Sequence, residues 1–367
     1  MAGKLHDFWQ RISDGMAVEQ LWAQVHADAR ASYQFYSKEI EFSRQAGESG
    51  WRRYWRIASG FFWAMMMKLS PGRRVLLLAA LVFLCVPSVH INSRNHDVQT
   101  GGSGAQFFAG IILVVLVALE LADRVTMKRD LEIAREIQSW LMPSAPPDVP
   151  GVDIAFATRP ANTVAGDYYD AFLRSNARLL IVVADVAGKS VPAALLTATL
   201  QASLRTLAAL PGSVAELVGR VNQFACGQSQ MGRRFTTAFV AEMDPATGAM
   251  TYVNAGHNWP VLRHASGAIE RLEAGGLPLG ISSSYAYQSG SAQLGRGDLL
   301  LIFTDGLVEA ENEQAAEYGE NRMLSVMDGL QGATANEALK RVMTSVDAFV
   351  GFTRQHDDIT CMVVRMQ

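Results

Sequence analysis

Four short acidic segments constrain the fold most, because three of them adjoin apolar runs typical of buried strands. The segments are GDYYD (166–170), ADVAG (184–188), FTDG (303–306) and HDDIT (356–360). The runs LLIVVA (179–184) and LLLIF (299–303) lead into aspartates, and ITCMVV (359–364) follows a pair of them. Carboxylates grouped at the ends of buried strands repel one another unless a cation lies between them. One such aspartate could equally be a turn or cap residue, but four segments together predict a site for hard divalent cations.

Composition narrows the class of protein. The chain has 367 residues, which suits two or three segments, and its net charge of −3 predicts no nucleic-acid partner. The three cysteines, Cys85, Cys226 and Cys361, show no CxxC spacing. This argues against zinc and against a disulfide framework, and it fits a reducing compartment.

Two apolar runs interrupt an otherwise polar N-terminal third. We predict that 1–74 is a cytoplasmic helical region and that 75–122 forms two transmembrane helices. The apolar runs, 75–91 and 105–122, flank the polar, glycine-rich loop 92–104. Each is slightly short for the ~20 residues that span a bilayer, but adequate with its flanks. Two buried core helices are the alternative, and the eleven-residue run 57–67 fits an interfacial helix better than a third span.

Basic residues predict the orientation of this hairpin. Six arginines and lysines lie between 52 and 74, three more lie between 124 and 129, and the loop holds only Arg94. The positive-inside rule therefore places both termini in the cytoplasm and the loop outside. The first run begins too far from Met1 to be a signal peptide.

A helical linker, 123–147, follows the second run. It contains no Gly or Pro over 124–142, and Pro143 ends it. Two apolar stripes run along the linker, a heptad-like seam and a second stripe, and either could pack against a partner. The seam comprises Met127, Leu131, Ala134, Gln138 and Leu141, and the second stripe comprises Ile133, Ile137 and Trp140. One alternative is a helix packed on its own domain, and the other is an arm that pairs two subunits and transmits a signal from the membrane.

The remaining segment, 148–367, mixes short strands with helices. Strand-like runs begin at 152, 179, 235, 250, 260 and 299, and helical patterns cover 192–210, 214–226, 321–330 and 336–350. The DPATG link (244–248) predicts a hairpin between two of the strands. Because strands come in sequential groups rather than in alternation with helices, we predict an antiparallel α+β sandwich and not a doubly wound parallel sheet.

An ordered set of motifs resembles a known family. The set comprises AGDYYD (165–170), LLIVVADVAGKSVPAALL (179–196), RFTTAF (234–239), YVNAGHNWP (252–260), GDLLLIFTDGLVEA (297–310) and DDIT (357–360). Together with the linker-like segment 129–147, it is similar to the bacterial metal-dependent (PPM-type) serine/threonine phosphatases of the SpoIIE and RsbU branch. The resemblance covers 129–367. Departures are small: Ala165-Gly166 stands where many relatives have Gly-Gly, and Gly188-Lys189-Ser190 where they have Gly-Lys-Gly.

The resemblance implies two antiparallel sheets flanked by helices, with a metal cluster at one edge. By this comparison Asp185 bridges two Mn²⁺ or Mg²⁺ ions, and Asp167 joins one of them together with the backbone carbonyl of Val186. Asp305 and Asp357 hold the other ion. Asp358 and Asp170 are the candidates for water-mediated contacts or a third ion. His257 is expected to serve the structure or the substrate rather than to bind metal.

The same resemblance implies the reaction and the partner. Two cations activate a water that attacks the phosphomonoester, so no protein nucleophile is needed. The expected substrate is a phosphorylated STAS-type anti-sigma-factor antagonist, and the membrane is then expected to be the bacterial inner membrane. Separately from the resemblance, the apolar stripes of the linker helix predict a homodimer as one of the two alternatives. The alternative is a non-catalytic membrane signalling module that uses the same fold to recognise a partner; the complete acidic set argues against it.

Overall fold

The computed structural model describes residues 50–85, 89–91, 98–100, 104–188, 191–228 and 234–367. The prediction of helix in 1–49, most of the loop 92–104, and the departures at Lys189 and Ser190 lie outside the described residues. The chain forms two compact units, 1–125 and 126–367.

The first unit is mainly helical. Its helices are α1 (Gly50–Lys68), α2 (Pro71–Cys85) and the first part of α3 (Gly104–Leu141), and β1 (Val89–Ile91) pairs antiparallel with β2 (Val98–Thr100). The prediction of one helix over 75–91 is wrong at its C-terminal end, because α2 ends at Cys85. Pro87 cannot continue a helical hydrogen-bond ladder, and the β-branched residues after it favour extended backbone.

One helix in the described part of the chain, α3, is long and apolar enough to cross a membrane. The predicted second span and the predicted linker are both parts of this 38-residue helix. Helix α2 has 15 residues, which at 1.5 Å per residue gives only ~22 Å, less than the ~30 Å hydrocarbon core of a bilayer. Arg73 at the start of α2 forms an ion pair with Asp123 on α3 (Nη1 to Oδ2, 2.6 Å), so the two helices contact each other at this end.

The second unit contains eleven strands and five complete helices among its described residues. The strands are β3 (Val152–Arg159), β4 (Asp167–Leu173), β5 (Leu179–Val186), β6 (Thr236–Met243), β7 (Ala249–Ala255), β8 (Val261–Arg263), β9 (Ile269–Arg271), β10 (Gly275–Gly276), β11 (Gly290–Gln293), β12 (Leu299–Phe303) and β13 (Ile359–Met366). The helices are α4 (Val191–Ala208), α5 (Val214–Gln228), α6 (Asp305–Val308), α7 (Glu320–Asp328) and α8 (Ala335–Val350).

These strands form two sheets. The first has the order β10-β7-β6-β5-β4, with β11 also paired to β7, and the second has the order β3-β13-β12-β8-β9. Every pairing is antiparallel except the two-residue β10–β7 contact. The prediction of an α+β fold with two sheets and flanking helices is therefore confirmed, and the DPATG segment joins β6 to β7 as predicted.

The core lies between the two sheets. Alternate residues of β5, such as Ile181 and Val183, pack against Ile302 and Met362 of the other sheet. The intervening residues Leu180 and Val182 pack under α4 and α5, and α7 and α8 cover the outer face of the second sheet. Because β5 is buried on both faces, its sequence is continuously apolar rather than alternating.

The C-terminal half of α3 packs on the second unit through the heptad-like seam. Leu131, Ala134 and Gln138 are partly buried. Ile133, Ile137 and Trp140 are exposed, by 46%, 48% and 72%. The middle of the seam, from Leu131 to Gln138, therefore provides the intramolecular face, whereas Met127 and the second stripe are exposed within this chain.

Candidate functional site

The first sheet places two aspartates side by side at one edge. Asp167 is the first residue of β4, Asp185 is the penultimate residue of β5, and the antiparallel register pairs them directly. Val186 ends β5, is buried, and its carbonyl lies next to Gly166. Asp185 therefore lies at the end of the strand that the apolar run 179–184 predicted, and Asp167 lies directly beside it.

The second sheet brings three further aspartates to the same edge. Asp305 begins α6 directly after β12, and Asp357 and Asp358 directly precede β13, which pairs with β12. One hydroxyl joins the sheets: Thr304 Oγ1 donates to Asp167 Oδ2 at 3.0 Å and accepts from the Thr360 amide at 3.0 Å. The structure thus places Asp305, Asp357 and Asp358 close enough to Asp185 for their charges to act on it.

Burial and mutual repulsion perturb this group. Burial raises the pKa of the Asp185 carboxyl to about 7, and the charges of Asp305, Asp357 and Asp358 add to the rise. Burial and the neighbouring Asp185 also raise the pKa of Asp167 well above its usual value. Because the two carboxyls lie side by side and both have raised pKa values, the pair favours a bound proton in the absence of a cation.

The donor set fits a hard divalent cation. Asp167, Asp185, Asp305 and Asp357 offer only oxygen, which suits Mg²⁺ or Mn²⁺ better than Zn²⁺. Within the described residues, however, no three His, Cys, Asp or Glu side chains are arranged as a ready-made metal cluster. The raised pKa values of Asp167 and Asp185 show that these two carboxylates gain from added positive charge, which a bound cation would supply.

Two of the predicted outer aspartates have other partners. Asp358 Oδ1 accepts from the Ala161 amide at 2.7 Å and Oδ2 from the Gly166 amide at 2.6 Å, so this carboxylate orders the loop before Asp167. Asp170 is fully buried and receives two hydrogen bonds from Arg205 on α4, at 2.7 and 2.8 Å. Asp170 therefore anchors α4 to β4.

A glycine allows the two aspartate loops of the second sheet to approach closely. A Cβ on Gly306 would lie 2.0 Å from the Asp358 carbonyl oxygen, far inside van der Waals contact. Residue 306 must therefore lack a side chain for Asp305 and Asp357 to lie at one edge. The FTDG motif contains this glycine, but the sequence does not reveal which backbone it meets.

His257 lies behind the site rather than in it. Its Nδ1 lies 3.1 Å from Thr237 Oγ1, and Thr237 is the β6 partner of Asp185. Burial lowers the pKa of His257 to about 4, and the nearby Phe303 carbonyl offsets only part of this decrease. The imidazole is therefore neutral at physiological pH.

Sequence reasoning missed three residues that support the site. Thr304 bridges the sheets, Arg205 neutralises Asp170, and Gln138 of α3 pairs with both backbone groups of Ala165. In that pairing Nε2 donates to the carbonyl at 2.7 Å, and Oε1 accepts from the amide at 3.0 Å. The polar Gln138 within an otherwise apolar seam was the one available signal.

The family model of Stage II sporulation protein E (SpoIIE) matches residues 175–367, more than half of the chain. The chain belongs to this family. Its C-terminal domain is thus a bacterial phosphatase domain of the PPM type, as the motif set predicted, and this type of domain is a hydrolase.

Curated relatives agree with this assignment. The phosphoserine phosphatase RsbU of Bacillus subtilis is 30% identical over 244 residues, which cover 65% of this chain and 70% of RsbU. Protein IcfG of Synechocystis sp. is 26% identical over 303 residues, 75% of this chain and 48% of IcfG. The chain therefore spans about half the length of IcfG.

Solved structures show the same fold. The SiaA-PP2C domain of Pseudomonas aeruginosa superposes with a TM-score of 0.59 at 21% identity, over 67% of this chain and 99% of that domain. The RsbU and RsbW domains of Rv1364c from Mycobacterium tuberculosis give a TM-score of 0.52 at 27% identity, over 60% and 63% of the two chains. The two-sheet architecture is common to all three.

Proposed function

We propose that this chain is a protein phosphatase that hydrolyses phosphoserine or phosphothreonine with two divalent cations. The observation that carries the proposal is the group of Asp167, Asp185, Asp305 and Asp357, contributed by both sheets to one edge, with the pKa of Asp185 raised to about 7. Repulsion among these carboxylates lowers the stability of the metal-free fold, and bound cations would remove that cost.

The protein residues hold and orient the reacting groups. Asp185 would contact both ions, Asp167 and the Val186 carbonyl would contact one, and Asp305 and Asp357 the other. Two bound cations would supply a nucleophilic water at neutral pH and neutralise the phosphate. Asp358 would fix the 161–166 loop through its two backbone hydrogen bonds. It would be a secondary candidate for metal binding, after the other four aspartates.

The proposed substrate is a phosphorylated partner-switching protein of the STAS type. Support comes from the relatives RsbU and RsbP, which are both described as phosphoserine phosphatases. The substrate would reach the domain from the cytoplasm, because the basic flanks of the apolar runs predict that side for residues 123–367.

We further propose a two-pass membrane anchor at 75–122, in which residues flanking the 15-residue α2 would complete the first crossing, and a homodimer through α3. The apolar helix α3 and the α2–α3 contact at Arg73 support the anchor. The exposed stripe of Ile133, Ile137 and Trp140 supports pairing of two linker helices.

Phosphate release from a phosphoserine peptide tests the proposed reaction. The purified full-length chain should be inactive after treatment with EDTA and regain activity with added Mn²⁺ or Mg²⁺, while Ca²⁺ serves as a comparison ion of larger radius. Binding of the peptide without any phosphate release at saturating Mn²⁺ would favour the non-catalytic module instead.

A further inference from the structure

A hydrogen bond between the two sheets lies at the candidate metal centre and has no role in the reaction described above. Thr304 lies between β12 and α6 and directly precedes Asp305. Its Oγ1 donates to Asp167 Oδ2 at 3.0 Å. Both side chains are buried, Thr304 fully and Asp167 with 2% exposed. The bond therefore links a proposed ligand of one ion to the residue beside a proposed ligand of the other.

The Thr304 hydroxyl serves Asp167 and not the helix that follows it. Thr304 is the N-cap residue of α6, a position where a threonine side chain normally accepts a hydrogen bond from an amide of the first turn. Here the side chain forms no such bond. Two backbone carbonyls, those of Asp358 and Thr360, lie farther from Oγ1 than Asp167 does, at 3.4 and 3.5 Å. The single hydroxyl hydrogen is therefore best placed for the carboxylate, which is also the stronger acceptor.

The second sheet holds Thr304 in this orientation. Oγ1 accepts from the Thr360 amide at 3.0 Å, and the Thr304 amide donates to the Thr360 carbonyl at 3.0 Å. The Thr360 hydroxyl in turn lies 2.9 Å from the Thr158 hydroxyl on β3. These threonines continue the core-facing rows of β12, β13 and β3. Three paired strands therefore fix the hydroxyl that meets Asp167.

The other aspartate loop of the second sheet makes a matching contact. Asp358, the neighbour of Asp357, accepts from the Gly166 amide at 2.6 Å. Gly166 directly precedes Asp167, so the second sheet holds Asp167 by its side chain and by the backbone before it. In each loop, a proposed ligand lies next to the residue that makes this contact. The sheet that carries the ligands of one ion thus sets the position of a ligand of the other.

We infer that Thr304 is a positioning residue of the metal centre, which orients the Asp167 carboxylate and so sets the affinity for the ion that Asp167 and the Val186 carbonyl would hold. The inference rests on the proposed two-cation phosphatase function and adds a residue to it. Hydrogen-bond partners of ligating carboxylates typically change metal affinity by about 10–100-fold. A hydroxyl that served only the fold would change stability and leave the Mn²⁺ affinity of the folded protein as it is.

A Mn²⁺ titration of the metal-free full-length protein tests the inference, with free Mn²⁺ measured by its electron paramagnetic resonance signal. Thr304→Val keeps the shape and removes the hydroxyl, Thr304→Ala removes it with less bulk, and Thr304→Ser keeps it. We expect the wild type and Thr304→Ser to bind two ions with the same affinities. The valine and alanine variants should bind one of the two ions at least about tenfold more weakly.

One further variant and a folding measurement complete the experiment. Thr251→Val, at an exposed position of β7, should bind both ions like the wild type. Thermal unfolding in EDTA shows which variants are folded.

Four results would overturn the positioning role. They are unchanged affinities in the folded valine and alanine variants, equal weakening of both ions, failure of serine to preserve binding, and failure of both variants to fold. Each leaves the phosphatase proposal intact if the wild type hydrolyses a phosphoserine peptide with Mn²⁺. A wild type that binds no Mn²⁺ and releases no phosphate would overturn both proposals.

Discussion

At the scale of single residues, the carboxylates of the site repel one another, and a bound cation would relieve that repulsion. Asp185 is only partly exposed, lies directly beside Asp167, and is close enough to Asp305 and Asp357 for their charges to raise its pKa. Its raised pKa means that the folded, metal-free chain binds this proton more tightly than the unfolded chain does. The protonated form therefore stabilises the fold at low pH, and ionisation weakens it.

The first prediction concerns this pH dependence. In EDTA, the contribution of Asp185 to the free energy of unfolding should fall as the pH rises from its unfolded pKa near 4 to its folded pKa of about 7. Asp185→Asn removes this titration. The decrease in melting temperature from pH 5 to pH 8 should therefore be smaller for the variant than for the wild type. Equal decreases in melting temperature in the two proteins would contradict the raised pKa of Asp185.

The second prediction concerns Gly306. Gly306→Ala would place a Cβ 2.0 Å from the Asp358 carbonyl, and the necessary shift should separate the two aspartate loops. We expect a loss of roughly 1–3 kcal/mol of stability and a higher Mn²⁺ concentration at half-maximal activity. Gly219→Ala is the matched control, because a Cβ at this position in α5 meets nothing within 4 Å. Equal Mn²⁺ dependence of the two variants would contradict the close-approach argument.

At the scale of secondary-structure elements, α3 connects to the site through Gln138. Its amide pairs with Ala165, two residues before Asp167, and Gln201 of α4 donates to the carbonyl at the C-terminal end of α3. These contacts lie C-terminal to the middle of the linker. A break in the middle should thus leave the site anchored while separating it from the apolar part of the helix.

The third prediction tests that separation. Arg135→Pro costs ~3 kcal/mol within a helix, and Arg135→Ala is the control that keeps the helix. We expect the proline variant to retain basal hydrolysis of 4-nitrophenyl phosphate but to lose any difference between the protein in lipid and the protein in detergent. If wild type and both variants respond alike to lipid, the linker is only a tether.

The elements differ in how far their sequences specify them. Strand β12 was predicted to the residue, because LLLIF is apolar throughout and is buried on both faces. Strand β4 was not predicted as a strand, because GDYYD is polar; its aspartates are satisfied by Thr304 and Arg205, which are distant in sequence. The short strands β9 to β11 contain glycine or charged residues, and β10 and β11 pair with the longer β7.

The residues of the candidate site also differ in how far the sequence specifies them. The resemblance of the ordered motifs implies Asp167, Asp185, Asp305 and Asp357 as ligands, and the structure places each of them at or next to the end of a strand. The bonds of Asp358 to Ala161 and Gly166 could not be predicted, because they join residues almost two hundred positions apart. No local pattern in the sequence records such long-range contacts.

At the scale of the whole molecule, the proposed topology requires residues 123–367 on the cytoplasmic side. The fourth prediction uses single cysteines at Thr100 and Ser144, in a background that lacks the three native cysteines. A membrane-impermeant reagent applied to intact cells should label Thr100→Cys and should not label Ser144→Cys until the cells are opened, because the basic flanks favour the inside. External labelling of Ser144→Cys would place the phosphatase domain outside, away from a cytoplasmic phosphoprotein.

The central claim is that carboxylates from both sheets jointly bind the cations that drive phosphate hydrolysis. The most direct test compares Asp185→Asn with Asp358→Asn at saturating Mn²⁺, on a phosphoserine peptide. Loss of the shared ligand should lower the rate by at least ~100-fold without loss of fold. Asp358→Asn should cost ~1–3 kcal/mol of stability but retain more activity. Wild-type turnover by Asp185→Asn, or a greater loss of activity in a folded Asp358→Asn protein, would contradict the account.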